Sequence, residues 1–210
     1  MFSQVSFRCK QYANRFLNIK NPVKLSELNQ HMYDSHGHTV LGLHKMGFTK
    51  ATIQDFNAYV YGMMDYSGIH KSMNKNKKDA IIITNVAEQC AKHDIELRVF
   101  SNAPDQWVAS TLASMSSDLK DIKTMSHITD NNLKPMRRTY DLVEYDLGMD
   151  RPIYFVDDKW INLSPVYNRP NWHPFFLTPS DQDAECIFVA KKLGIISDLS
   201  FLPKYIRACM

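Results

Sequence analysis

The segment Ile153-Tyr154-Phe155-Val156-Asp157-Asp158 constrains the fold of this 210-residue chain more than any other. Four apolar or aromatic residues in a row make a buried strand. Two adjacent carboxylates stand where that strand should end. Open α/β sheets bind their ligands beyond the carboxyl ends of the strands. Paired acids at such an edge are costly unless a cation or hydrogen-bond donors hold them. A hard, oxygen-ligated ion such as Mg²⁺ is their natural partner. Asp157 and Asp158 are therefore the expected metal ligands.

Two upstream features fit the same edge. Val99-Phe100-Ser101-Asn102 reads as a second strand that ends in a hydroxyl and an amide. These groups can grip an anionic oxygen, helped by the N-terminus of the next helix. They equally suit a simple helix start, with Pro104 in its first turn. Lys134-Pro135 places a cation in a polar turn before a further helix.

The pattern along the chain divides it in two. Residues 3–65 read as almost wholly helical, with Asn21 and Pro22 separating a first helix from one near Leu25–Tyr33. Thr49 is placed to cap a helix running through Tyr59. A polar, basic stretch over Ser72–Lys78 marks the boundary, short enough to join two packed units. Beyond it strands alternate with helices, which argues for a parallel sheet. The expected strands are Glu96–Phe100, Met125–Ile128, Ile153–Val156 and a last one at Phe175–Leu177. The expected helices are Asp79–His93, Pro104–Met115, Arg137–Leu147 closed by Gly148, and Asp181–Leu193 stopped by Gly194.

Composition bounds the rest. With 44% hydrophobic and 22% charged residues, the chain suits one globular domain, or a core plus a modest insertion. A formal net charge of +3 does not imply nucleic-acid binding. No apolar run approaches the ~20 residues of a membrane span, and no secretory h-region is visible. Cys9, Cys90, Cys186 and Cys209 are scattered, which fits reduced thiols in a cytoplasmic protein. Residues 1–26 lack acids and carry five basic residues, a bias shared with transit peptides. Val5, Phe7, Tyr12, Phe16 and Leu17 favour an ordinary amphipathic helix there.

The order of the motifs resembles the haloacid dehalogenase superfamily. Ser101, Lys134 and Asp157/Asp158 fall on that family's second, third and fourth signature motifs. The flanks agree over VFSNAPDQWV (99–108), HITDNNLKPMRRTYDLVEYDLG (127–148) and IYFVDDKWINLSP (153–165). The pyrimidine 5′-nucleotidase-like branch is the closest. Its cap carries a Gly-x-Thr-x-x-Gly-Leu run, similar to Gly37-His38-Thr39-Val40-Leu41-Gly42-Leu43 after His36. The resemblance implies a helical cap over residues 1–75 and a Rossmann-like core over 76–210. It implies hydrolysis of a small phosphorylated molecule, in the nucleoside monophosphate class, with Mg²⁺. Ser101 would bind the transferring phosphoryl group and Lys134 would neutralise it. Asp157 and Asp158 would hold the metal, with Asn162 supporting their loop. Asn102, His36, Gly37 and Thr39 would contact the substrate.

One motif of that family has no counterpart here. Its first motif, a strand followed by Asp-x-Asp-x-Thr, supplies the nucleophile and the general acid/base. The cap-like sequence begins at about Ser3 instead. Asp34-Ser35-His36-Gly37-His38-Thr39 lacks the second Asp and the preceding apolar strand, so it is a poor substitute. Activity and Mg²⁺ binding are accordingly expected to be weak or absent in these 210 residues. A catalytically inactive phosphate-binding or scaffold protein is the alternative, and an upstream start would restore the enzyme. The family's first strand is also central in its sheet. Its neighbours here should close on each other or leave open edges.

Other clusters allow two readings each. His31, Asp34, His36, His38 and His44 could bind a transition metal or form a polar cap surface. Tyr59, Tyr61, Met63, Met64, Tyr66 and His70 could stack on a nucleobase or pack the cap. Trp160, Trp172 and the loop 169–174 could pack under a long connection or face a partner.

Overall fold

The computed structural model describes residues 2–62, 64, 77–125, 132–178, 187–190, 193–202 and 205. The expected boundary near residue 76 lies outside them, as do Met63, Tyr66, His70, Cys186 and Cys209. The fold is mixed α/β, with small, mainly parallel sheets. No helix among the described residues is long and apolar enough to cross a membrane.

The first sixty residues form four helices: α1 (Phe2–Leu17), α2 (Pro22–His36), α3 (Thr39–Lys45) and α4 (Ile53–Val60). Asn21 starts α2 by accepting from the Val23 and Lys24 amides, with Pro22 pre-set in the first turn. Thr52, not Thr49, caps α4, because its hydroxyl accepts from Asp55 N. Tyr12, Met32, Val40, Leu43, Phe56 and Val60 form one buried cluster. Tyr12 is the largest fully buried side chain of this cluster, with its ring edge-on to Phe56 at 5.1 Å.

The remainder continues as α5 (Lys77–Lys92), β1 (Arg98–Val99), α6 (Asp105–Met115), β2 (Lys123–Thr124) and α7 (Arg137–Leu147). Then come β3 (Ile153–Asp157), α8 (Trp160–Leu163), β4 (Trp172–Leu177), β5 (Ile187–Ala190) and β6 (Leu193–Ile196). Strand β1 is shorter than the expected Glu96–Phe100. The β2 pairing falls at Lys123–Thr124, and Met125 N continues it to Val99 O; residues 126–128 of the expected strand Met125–Ile128 lie outside the described residues.

The region after Leu177 departs from expectation. Where the expected helix Asp181–Leu193 is described, at Ile187–Ala190 and Leu193, the chain is instead β5 and the start of β6, which pair antiparallel; residues 181–186 and 191–192 lie outside the described residues. Ile187, Val189, Ile195 and Ile196 are β-branched and suit a pleated surface. Gly194 lies inside β6 rather than ending a helix. A Cβ there would stand 2.5 Å from the Phe175 ring, so strand β4 packs through the space a side chain would take. Phe175–Leu177 consequently belongs to an interior strand, not the last one.

Among the described residues the strands form two sheets. One contains β1 and β2 in parallel; the other has the order β3-β4-β6-β5, with β3, β4 and β6 parallel. Strands β1 and β3 do not close on each other. Two ion pairs nevertheless tie them. Arg151 Nη1 lies 3.9 Å from Glu96 Oε2 at the amino ends. Lys134 spans the carboxyl ends, donating to Phe100 O at 2.9 Å and Asp157 Oδ2 at 2.8 Å. The two strands therefore run the same way, with a gap between them.

Below β3, Phe155, Tyr140, Val143, Leu163, Val166 and Trp172 make a second buried cluster with Met125. Trp172 Nε1 donates to Glu144 at 2.6 Å and Tyr140 Oη to Asn162 O at 2.6 Å. Both buried polar tips are thereby satisfied. Trp172 is core; Trp160 remains 47% exposed.

Candidate functional site

The residues marked by the sequence motifs converge where β1 and β3 end. Lys134 is the centre. Its side chain is 8% exposed, and that of Asp157 is 7% exposed. The ammonium also lies 4.9 Å from the Phe100 ring centroid and 5.4 Å from that of Phe155. Two carbonyl-type acceptors and two ring faces hold a charge that burial would otherwise penalise.

The lysine is also held through its main chain. Asn102 Oδ1 accepts from Lys134 N at 2.9 Å, and Asn102 Nδ2 donates to Lys134 O at 3.0 Å. This reciprocal amide contact fixes the turn on which the ammonium is mounted. The Lys134–Pro135 peptide is cis. Thr139 reaches back to Asn132 O at 2.7 Å and Leu133 O at 2.9 Å, joining the same turn to α7.

Asp157 is fully engaged. Its Oδ2 takes Lys134, and its Oδ1 accepts from Lys159 N at 2.9 Å and Asn162 Nδ2 at 3.0 Å. Asn162 therefore does support the acidic loop. Ser101 Oγ accepts from Ala103 N at 3.1 Å, which orders the turn into α6. Asp158 is exposed and lies on the same rim.

The helical unit closes over this edge. Gly37, at φ 76, ends α2 and lies against Pro135, Lys134 O and Asn162 Oδ1. Lys159 Nζ reaches across to Asp34 Oδ1 at 2.9 Å. The cleft between the two units has a volume of about 420 Å³. Ser101, Asn102, Lys134 and Asp157 form one side with Asp158 at the rim, and Asn29, Tyr33, Gly37, His38 and Thr39 face them from the helices.

Seven of the eight residues expected at the site thus share one cleft. The exception is His36, the last residue of α2, which does not line it. Asn29 and Tyr33 were missed by the sequence reading, although with Gly37 they recur every four residues on α2 and so share one face. His38 was seen only as part of a histidine cluster. It is buried and caps α3, its Nδ1 accepting from Val40 N at 3.2 Å. Burial pushes its pKa down to about 4, so the ring is neutral. Of the suggested aromatic wall, Tyr61 lines the cleft, whereas Tyr59 packs on Tyr12 and Arg15.

The histidines do not converge on a metal. His31 contacts Ser35 and His44 contacts Ala51 O. Among the described residues no three His, Cys, Asp or Glu side chains are grouped to hold an ion. Asp157 and Asp158 are the residues that would hold a Mg²⁺ here; Asp157 Oδ1 accepts from two N–H donors and its Oδ2 from the Lys134 ammonium alone. Asp34, the weak candidate for a substitute nucleophile, is bound to Gln30 and Lys159 on the outside of the cleft.

No family model matches the chain, and no curated protein matches it.

Proposed function

We propose that this chain is a phosphatase-like protein of the haloacid dehalogenase type, with a Rossmann-like core and a helical cap. In this reading the cleft binds a small phosphorylated molecule, in the nucleoside monophosphate class. The observation that carries it is the buried Lys134 ammonium, mounted between Phe100 O and Asp157 at the carboxyl ends of two strands. A fixed cation with a hydroxyl and a helix start beside it is the equipment for a phosphoryl oxygen. The phosphate would sit against Lys134 and Ser101, and the rest of the ligand would extend toward Asn29, Tyr33 and Thr39.

Binding without hydrolysis is the reading for residues 1–210. Among the described residues that line the cleft, the carboxylates are Asp157, which accepts on both oxygens, and the exposed Asp158, and neither stands on the first-motif nucleophile position. Charge also limits the affinity. Lys134 and Lys159 stand against Asp34, Asp157 and Asp158, leaving one net negative charge. A phosphate dianion should therefore bind weakly, on the order of millimolar.

The test is thermal unfolding with orthophosphate, sulfate and a nucleoside monophosphate, against chloride at equal ionic strength. A ligand at about ten times its Kd should raise Tm by roughly 3–6 °C. A double variant, Lys134→Met with Asp157→Asn, should lose that rise. Equal shifts in both proteins would mean that the anions act through general exclusion from the surface, and the reading would fail.

A further inference from the structure

Charge is unevenly placed along the chain. Residues 1–62 carry seven Lys and Arg against three Asp and Glu, so the surplus of this helical unit exceeds the +3 of the whole chain. Arg15 is spent on Asp55 at 3.1 Å, and Arg8 donates to Tyr59 O at 3.2 Å. The unspent charge gathers at one end of the unit. Lys20 and Lys24 flank the turn from α1 into α2, and Lys45 and Lys50 flank the turn after α3. The Phe16 and Phe48 rings, with centroids 6.1 Å apart, hold the two turns side by side.

All four lysines are exposed, and none is in an ion pair among the described residues. No Asp or Glu occurs over residues 1–26 or 35–54. Of the acids that follow, Asp55 is taken by Arg15, and Glu27 stands beyond Lys24 along α2. Two apolar side chains stand among the lysines: Val23 is 64% exposed and Met46 is 46% exposed. Gly47 has open space where a Cβ would be, so its turn projects from the body of the unit.

We propose that this end of the helical unit docks on a bilayer surface bearing acidic phospholipids. Lys20, Lys24, Lys45 and Lys50 stand at headgroup level, where a negative surface attracts each of them. Val23 and Met46 enter the boundary between headgroups and acyl chains. The combination selects the partner. A nucleic-acid backbone would use the lysines alone and leave both apolar side chains in water. A bilayer uses both kinds of group at once. The docking is peripheral and needs no spanning helix.

The docked surface leaves the cleft open. α1 meets the cleft with Val5, Ser6 and Cys9 and ends at the basic turn. α2 begins at that turn and meets the cleft with Asn29, Tyr33 and Gly37 at its other end. Its 15 residues span roughly 22 Å. The cleft therefore stands about one helix length above the lipid, on the aqueous side. This inference rests on the surface of the helical unit, not on the phosphate reading.

The experiment is co-sedimentation of the 210-residue chain with vesicles of phosphatidylcholine, alone or with roughly 30% phosphatidylserine. The chain should sediment with the anionic vesicles only, and raising NaCl from about 0.1 to about 0.5 M should release it. Each neutralised lysine should weaken binding about 5-fold. The variant Lys20→Gln, Lys24→Gln, Lys45→Gln, Lys50→Gln should therefore lose at least ~100-fold. A control removes the same charge at exposed sites elsewhere, with Lys92→Gln, Lys120→Gln, Arg137→Gln and Arg138→Gln, and should keep most of the binding. Val23→Ser with Met46→Ser leaves the charge unchanged and should weaken binding at least ~5-fold. No binding to the anionic vesicles overturns the proposal. So does an equal loss in the control, which would make net charge the cause. So does unchanged affinity in the Val23→Ser, Met46→Ser variant, which would leave no inserted contact. An RNA duplex bound more tightly than the vesicles, through the same four lysines, would overturn it by assigning this end to nucleic acid.

Discussion

Replacing Lys134 by methionine isolates the main electrostatic commitment of the site. The methionine keeps the length and apolar stem of the side chain but removes the ammonium. Asp157 then loses its 2.8 Å partner while keeping only 7% of its side chain exposed. Phe100 O loses a donor as well. Removing one member of a buried ion pair costs about 3–5 kcal/mol, because the other charge is left uncompensated. For a chain of this size that lowers Tm by roughly 6–20 °C. Urea denaturation followed by tryptophan fluorescence measures it directly. Adding Asp157→Asn should recover at least half of the loss, since the amide oxygen can still accept from Lys159 N and no charge remains. Both parts are needed. A loss below about 1 kcal/mol, the range of exposed pairs, would refute a buried, structurally committed Lys134–Asp157 pair. A double variant no better than Lys134→Met would refute the uncompensated charge as the cause.

Three further outcomes are expected. His38 is buried and neutral, with its folded pKa pushed down to about 4; the unfolded ring titrates near 6.5, so its share of stability is intact above ~6.5 and is lost as pH falls toward 4, amounting to about 3 kcal/mol. Urea midpoints at pH 7.5 and 4.5 check this, and a His38→Asn variant should show a shallower pH dependence. Gly194→Ala puts a methyl 2.5 Å from the Phe175 ring and should cost about 1–3 kcal/mol by overpacking, read as a shift of the denaturation midpoint. The 210-residue chain should show negligible Mg²⁺-dependent hydrolysis of nucleoside monophosphates or an aryl phosphate; a clear rate abolished by Asp157→Ala would contradict that.

The parts of the fold legible in the sequence were those whose signals are local. Asn21-Pro22 fixed the start of α2, and Arg137–Leu147 ended at Gly148 as expected. The Ile153–Val156 run was a strand with its acids at the carboxyl end. The motif residues met because each followed or preceded an element whose direction was readable. The failures have a common cause. At 187–196 a helix and a strand pair compete on similar apolar content, and the outcome depends on Gly194 fitting under Phe175, a contact distant in sequence. Thr52 displaced Thr49 as a cap because a cap is decided by which hydroxyl meets an amide. The Asn102–Lys134 amide exchange joins residues 32 positions apart, and no local pattern announces it.

Gly37 carries a consequence for what the cleft can hold. A Cβ there would stand 2.9 Å from Pro135 Cδ and 3.2 Å from Lys134 O. The hydrogen of a glycine is thus the spacer between roof and floor at this point, and it stands next to the Lys134 main chain. The Lys159–Asp34 pair clamps the same seam from outside. Headroom in the chamber is therefore set at one point, by the smallest spacer the genetic code provides. On the proposed function, the anion-to-α2 distance of a ligand would be limited at this point by backbone contact rather than by charge.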